Sequence, residues 1–232
     1  MTVTQKQAIL MTIGLLIVLI AAFGGYKYFT AKVPVPAREV LSGKPELETS
    51  YDRAIKFETM ISEKPGEIQN YLALGSAWKL IGDATRDEQW YKLSLDAYKR
   101  GISITNRKNS LLLTNAGQIE EQLGNFSQAK SYYLESIDLS PGDTSYHLMY
   151  INLLRYKYKA SPEQILAAYD VGMNRVLGGA DLVSSRSQYL KSIGRYDDAR
   201  RDLELLLKNK IIAQEQMDSE ILEMKNLQEA AK

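Results

Sequence analysis

Residues 110–143 read SLLLTNAGQIEEQLGNFSQAKSYYLESIDLSPGD, and this stretch contains the clearest structural signals of the chain. Its apolar residues recur with a period near 3.6, which predicts helices, and no alternation typical of strands interrupts them. Gly124 and Asn125 divide the stretch, because both tolerate the left-handed backbone that ends a helix. Pro141 closes the second half, since proline cannot continue a helix. The stretch is therefore predicted to form two helices joined by a tight turn.

Small residues occupy the positions at which these two helices would cross. Ala116 and Gly117 allow the two helices to approach closely. Ala129 and Ser136 give the facing side of the second helix small side chains, and Tyr133 fills the remaining gap. The spacing resembles the tetratricopeptide repeat, a helical hairpin of 34 residues. Glu120 departs from that motif, which prefers Tyr at its position. The full set that carries the resemblance is Leu113, Ala116, Gly117, Gly124, Ala129, Tyr133, Ser136 and Pro141.

The same frame recurs on both sides of this stretch. Between Gly82 and Ser94 there are seven residues more than the motif allows, which is about two helical turns. We therefore expect longer helices in the first repeat, with Trp90 and Tyr91 in the added part. The positions that repeat the frame are Tyr71, Leu74, Gly75, Trp78, Tyr98 and Gly101; Met149, Leu153, Tyr156, Tyr169 and Gly172; Val183, Ser187, Leu190, Gly194 and Ala199.

Two local features refine the later repeats. Ser161 followed by Pro162 and Gln164 predicts a helix start with a capping box. Arg186 departs from the motif, which prefers Leu there. The resemblance implies an all-α fold, a right-handed solenoid of about four helical-hairpin repeats over 46–211, in which helix 46–62 is half a repeat. A capping helix is predicted over 212–232, with Ile212, Met217, Ile221, Met224 and Leu227 on one face.

The N-terminal segment has a different character. Twenty residues without a charge, Gln7 to Tyr26, lie between Lys6 and Lys27. As a helix they would span roughly 30 Å, the thickness of a bilayer's hydrocarbon core. We therefore predict a short tail (1–6), one transmembrane helix (7–27) and a linker containing prolines (28–45). The alternatives are a cleaved secretory signal and a buried core helix.

The side of the membrane is weakly specified, since basic residues flank both ends of this segment. We expect a single-pass protein of the cell membrane whose repeat domain is extracytoplasmic. The alternative is an organelle-surface receptor with a cytosolic repeat domain.

Composition excludes several kinds of function. Lys and Arg number 29 and Asp and Glu 28, a net charge of +1 that gives no general attraction to nucleic acid. Cys is absent and His147 is the single histidine, so thiolate and multi-histidine metal sites are excluded. No catalytic motif stands out, and we expect no metal or cofactor, although an enzyme with an unrecognised site stays an alternative. The adjacent carboxylates Glu120–Glu121 and Asp197–Asp198 are interpreted as solvated surface.

The resemblance also implies a function. Such repeats bind a protein or peptide partner on a concave face that the first helix of each pair lines. We therefore expect a non-catalytic, membrane-anchored scaffold or adaptor, acting in cell-envelope complex assembly or secretion. The predicted groove residues are Ser76, Lys79, Thr114, Gln118, Gln122, His147, Tyr150, Lys157, Tyr158, Ser184, Gln188 and Lys191.

Overall fold

The computed structural model describes residues 33–230, and over that range the chain forms helices and connecting turns without a strand. The predicted tail (1–6) and transmembrane helix (7–27) lie outside the described residues. Among the helices of residues 33–230, none combines the length and the apolar character needed to cross a membrane. The chain divides into two units between Ala37 and Arg38, and the description below concerns the second unit.

A short 3-10 turn and ten α-helices follow one another in the described part of the chain. The turn is Arg38–Leu41, and the helices are α1 (Pro45–Glu63), α2 (Ile68–Thr85), α3 (Glu88–Ile104), α4 (Ser110–Gln122), α5 (Phe126–Leu139), α6 (Thr144–Tyr156), α7 (Pro162–Arg175), α8 (Ala180–Ser192), α9 (Tyr196–Lys208) and α10 (Gln214–Ala230).

The helices pack as sequential hairpins. Four pairs form, α2 with α3, α4 with α5, α6 with α7 and α8 with α9, while α1 packs on α2 and α10 on α9. The pairs follow from the short connections, which force neighbouring helices to run antiparallel. The first pair has the longest helices, of 18 and 17 residues, and Trp90 and Tyr91 lie in α3. The prediction drawn from the seven additional residues is confirmed.

The helical domain begins earlier than position 46. Leu41 in the 3-10 turn is buried, and Arg38 donates hydrogen bonds to both carboxylate oxygens of Asp52 on α1, at 2.8 and 3.0 Å. These bonds hold the pKa of Asp52 below its usual value. Four residues are too few to show a helical period in the sequence. The prediction therefore included them in the linker 28–45.

Each of the first two pairs is closed by a tyrosine ring lying on a glycine. The ring of Tyr133 covers Gly117, where a Cβ atom would lie 2.8 Å from a ring carbon. The ring of Tyr98 covers Gly75 still more closely, and a Cβ there would overlap it. Both rings are fully buried, which raises the pKa of both hydroxyls. Glycine is therefore required on the first helix for these pairs to approach as they do.

Local capping signals are also confirmed. Ser161 and Gln164 form the predicted capping box at the start of α7. Gly124 has a φ of +77°, the left-handed conformation predicted for the turn between α4 and α5. On the capping helix α10, Met217 and Met224 are buried as predicted, whereas Leu227 is 43% exposed.

One of the carboxylates interpreted as solvated is in fact buried. Glu120 lies inside the α3–α4–α5 junction, where it pairs with the Lys99 ammonium at 3.0 Å and accepts a hydrogen bond from the Asn125 amide at 2.7 Å. The interpretation was wrong for Glu120 because Lys99 comes from another helix. Asp198 does pair at the surface, with Arg195 and Arg201.

The other departure from the motif, Arg186, is also an ion-pair site. From α8 its guanidinium donates to both oxygens of Asp202 on α9, at 3.0 and 2.6 Å. It also donates to Asp170 on α7 at 2.6 Å. The Asp202 side chain is 3% exposed and the Asp170 side chain 60% exposed. One arginine therefore links three helices, in a place where the motif would have an apolar contact.

Replacing the buried partner should destabilise the domain much more than replacing the exposed one. We expect Asp202→Ala to lower the free energy of unfolding by about 2–4 kcal/mol, because the guanidinium loses its bidentate partner in a partly dry site. Asp170→Ala removes an exposed ion pair of the same arginine and should cost about 1 kcal/mol or less. Urea denaturation followed by circular dichroism measures both changes. Equal losses for the two variants would contradict this account.

Candidate partner-binding surfaces

The first helices α4, α6 and α8 contact one another in turn. Gln118 of α4 approaches the sulfur of Met149 on α6 at 3.5 Å. The Arg155 guanidinium of α6 lies 4.8 Å from the ring centroid of Tyr189 on α8. Lys191 of α8 in turn reaches α10. We call the surface formed by α2, α4, α6 and α8 the first-helix surface.

Hydrogen-bonding side chains without charge repeat along this surface at one helical position. The ninth residues of α2, α4, α6 and α8 are Ser76, Gln118, Asn152 and Gln188. Ser76, Asn152 and Gln188 are exposed and Gln118 is half-buried. An amide side chain both donates and accepts hydrogen bonds, as a peptide group does. The four residues therefore form a polar ladder that matches the chemistry of a peptide backbone.

Two lysines of this surface already have partners within the chain. Lys79 pairs with Asp83 on its own helix at 2.6 Å. Lys191 donates to Glu220 and Glu223 of α10 at 2.5 and 2.7 Å. Burial opposes the charge of Lys191, but these two hydrogen bonds leave its pKa raised. The surface therefore offers amides and hydroxyls to a partner in preference to free cations.

Most of the groove residues predicted on α2, α4 and α8 are accessible to solvent. Thr114 is the exception, because it is buried and its hydroxyl donates to the backbone oxygen of Ser110 at 2.9 Å. The others are exposed or half-buried, namely Ser76, Lys79, Gln118, Gln122, Ser184, Gln188 and Lys191.

The residues predicted in the third pair lie elsewhere. His147, Tyr150 and Tyr158 line a cleft between the second helices α5 and α7, and Lys157 is the exposed residue that follows α6. The connection between α6 and α7 has five residues where that between α4 and α5 has three. The repeat frame inferred from the sequence is therefore displaced by two residues in this repeat. As a result, the prediction selected residues on a different face of α6. Counted from the helix start, Asn152 is the counterpart of Gln118.

The cleft between α5 and α7, here named the α5–α7 cleft, has a volume of about 480 Å³. Both helices pack on α6, which forms the floor, but they make no extended contact with each other. Most of the lining is apolar. The residues that define its walls and floor are Leu134, Tyr150, Leu154, Ala167, Ala168 and Val171.

His147 has a packing role at the edge of this cleft. Its ring is 2% exposed, its Nε2 lies 2.9 Å from the backbone oxygen of Pro141, and its ring faces Gly172 of α7. Among residues 33–230, no cluster of three or more histidine and carboxylate side chains is arranged to hold a metal ion.

Comparison with known proteins agrees with the repeat assignment. The family model for the tetratricopeptide repeat matches residues 112–143, the stretch that contains the pair α4–α5. In fold the chain is similar to the crystal structure of MamA, with a TM-score of 0.54 and 11% sequence identity over 76% of this chain and 96% of that one. Residues 33–230 are thus all-α, with one stretch that matches the tetratricopeptide repeat and a fold similar to that of MamA.

Two further solved structures are less similar. One is YrrB, described as a tetratricopeptide repeat protein with an unusual peptide-binding site, with a TM-score of 0.47 and 16% identity over 72% of this chain and 79% of that one. The other is the Pseudomonas aeruginosa protein PilF, with a TM-score of 0.40 and 15% identity over 82% and 86%. No curated protein matches the chain in sequence.

Proposed function

We propose that this chain is a non-catalytic adaptor that binds an extended segment of a partner protein on its first-helix surface. The polar ladder of Ser76, Gln118, Asn152 and Gln188 is the observation that carries the proposal. Side chains that donate and accept at one repeated position can bond successive peptide groups of an extended chain. Because the lysines of the surface are already paired, recognition rests on hydrogen bonds and shape.

We further propose that residues 7–27 anchor the adaptor in the cell membrane, with the repeat domain on the extracytoplasmic side. The support is the uncharged run Gln7 to Tyr26, which is long enough to span a bilayer as a helix. An anchored adaptor of this kind suits the assembly of cell-envelope complexes or secretion. A receptor whose repeat domain is cytosolic is the alternative, and topology separates the two.

A reporter enzyme tests the anchor and its orientation. Alkaline phosphatase fused after Lys232 should be active and membrane-bound, because the enzyme folds only after export. The same fusion without residues 7–26 should be inactive and should leave the membrane fraction. An inactive phosphatase at this position, with an active cytoplasmic reporter in its place, would favour the cytosolic alternative.

Photo-crosslinking tests the first-helix surface. A benzoylphenylalanine in place of Tyr156, which is 63% exposed on α6 close to Asn152, should form a covalent adduct with a defined partner in intact cells. Replacing Gln118 and Gln188 by Ala should reduce that adduct roughly tenfold, because two hydrogen bonds are lost at about 0.5–1.5 kcal/mol each.

The matched control uses exposed residues of second helices. Lys92 on α3 and Ser131 on α5, both replaced by Ala, should leave the adduct at position 156 unchanged. A benzoylphenylalanine at position 92 should give no adduct of the same size. Equal adducts from positions 92 and 156, or an adduct that the Gln118 and Gln188 substitutions do not change, would contradict the proposal.

A further inference from the structure

The α5–α7 cleft is open because a small residue stands where the preceding junction has a large one. In α5, Tyr132 precedes the buried Tyr133 and is itself buried, and the Arg107 guanidinium of the α3–α4 connection lies 5.6 Å from its ring centroid. In α7, Ala168 precedes the corresponding buried tyrosine, Tyr169. The ring that closes one junction is therefore missing from the next.

The cleft exposes apolar side chains on both rims. Leu134 on α5 is 38% exposed and Val171 on α7 is 47% exposed, while Tyr150 and Leu154 form the floor. Burial raises the pKa of Tyr150, which agrees with its position deep in the cleft. Apolar surface left in contact with water and gathered at one place is typical of binding sites.

The ends of the cleft carry more positive than negative charge. Lys130 stands at one end, 5.3 Å above the ring centroid of Tyr158, and no carboxylate partner for it occurs among residues 33–230. At the other end Arg175 pairs with Asp138 at 3.5 Å, and the Asp138 side chain is 76% exposed, so this pair is weak. Two cations against one carboxylate favour an occupant with acidic groups.

The dimensions fit a short helix. From Lys130 to Asp138 the wall consists of nine residues of α5, which rise by about 12 Å or two helical turns. This length accommodates two apolar side chains one turn apart on an inserted helix. The exposed rims leave the cleft open along its length, which suits a peptide better than an enclosed small molecule.

We propose that the α5–α7 cleft docks a short amphipathic helix of a partner protein, with apolar side chains against Leu134, Tyr150 and Val171 and a carboxylate at Lys130. The cleft lies between second helices, whereas the polar ladder lies on first helices. The proposal therefore goes beyond the binding of an extended segment on the first-helix surface, and a partner could occupy both.

The test measures peptide binding to the full chain in lipid nanodiscs by fluorescence anisotropy. The acidic probe is a labelled helical peptide of sixteen residues with leucines one turn apart and flanking glutamates. The matched basic probe has lysines in place of the glutamates. Ala167→Trp fills the cleft from an exposed position, Lys130→Glu reverses the charge at one end, and Gln188→Trp is a control on the first-helix surface.

We expect the acidic probe to bind the unmodified chain more tightly than the basic probe. Ala167→Trp should weaken this binding at least about tenfold, since the indole takes the place of the leucines. Lys130→Glu should lower the affinity for the acidic probe by about three- to tenfold and raise the affinity for the basic probe. Gln188→Trp should leave both affinities unchanged, and circular dichroism should show unchanged helicity in all three variants.

Several results would overturn the proposal. Absence of saturable binding of the acidic probe, equal affinity for both probes, or binding that Ala167→Trp does not change would each contradict it. Weakening by Gln188→Trp alone would assign the peptide to the first-helix surface. Self-association of the chain that Ala167→Trp abolishes, detected by sedimentation, would assign the cleft to a second copy of the chain.

Discussion

The close packing of a tyrosine ring on a glycine organises the first two helix pairs of this structure. Tyr98 on Gly75 and Tyr133 on Gly117 fix how closely the two helices of a pair approach. No other residue fits beneath the ring, because interiors are packed as tightly as crystals and every added methyl group must displace something. The separation within each pair in turn determines where the next first helix lies.

Binding surfaces follow from that stacking. Once first helices lie side by side, a side chain at one helical position recurs along the surface, which is how four separate helices can form one polar ladder. The second helices define a different surface, where the size of one residue decides whether a junction closes. Tyr132 of α5 is a large buried ring, whereas its counterpart in α7 is Ala168, which lines the open α5–α7 cleft. One backbone arrangement thus presents two surfaces of different chemistry.

Local signals allowed much of the fold to be predicted from the sequence. The capping box at Ser161 and the left-handed turn at Gly124 depend on residues close together in the chain, so the sequence alone contains the information. Partners from distant helices could not be predicted in the same way. Glu120 is buried because Lys99 reaches it from α3. The open cleft could not be predicted either. Finding it requires a comparison of Tyr132 in α5 with Ala168 in α7, and only the packing shows that these positions correspond.

The candidate site was predicted in part for the same reason. On α4 and α8 the repeat frame assigned Gln118 and Gln188 to the ninth helical position, because these pairs have connections of three residues. In the third pair the connection of five residues displaced the repeat frame by two residues. His147 and Tyr150 were therefore predicted on a surface they do not reach, and Asn152 was missed. Counting from the start of each helix, with Asp143 as the cap of α6, would have found it.

A double-mutant cycle of Gly75→Ala and Tyr98→Leu tests the central claim most directly. Overpacking against the ring costs up to about 3 kcal/mol, whereas the better helix propensity of alanine stabilises the helix by about 1 kcal/mol. Gly75→Ala alone should therefore destabilise the domain by about 2 kcal/mol. With the ring removed, the added methyl group has room. The account predicts that the loss of stability in the double variant is smaller than the sum of the two single losses by at least about 1 kcal/mol. Simple additivity of the two losses would contradict it.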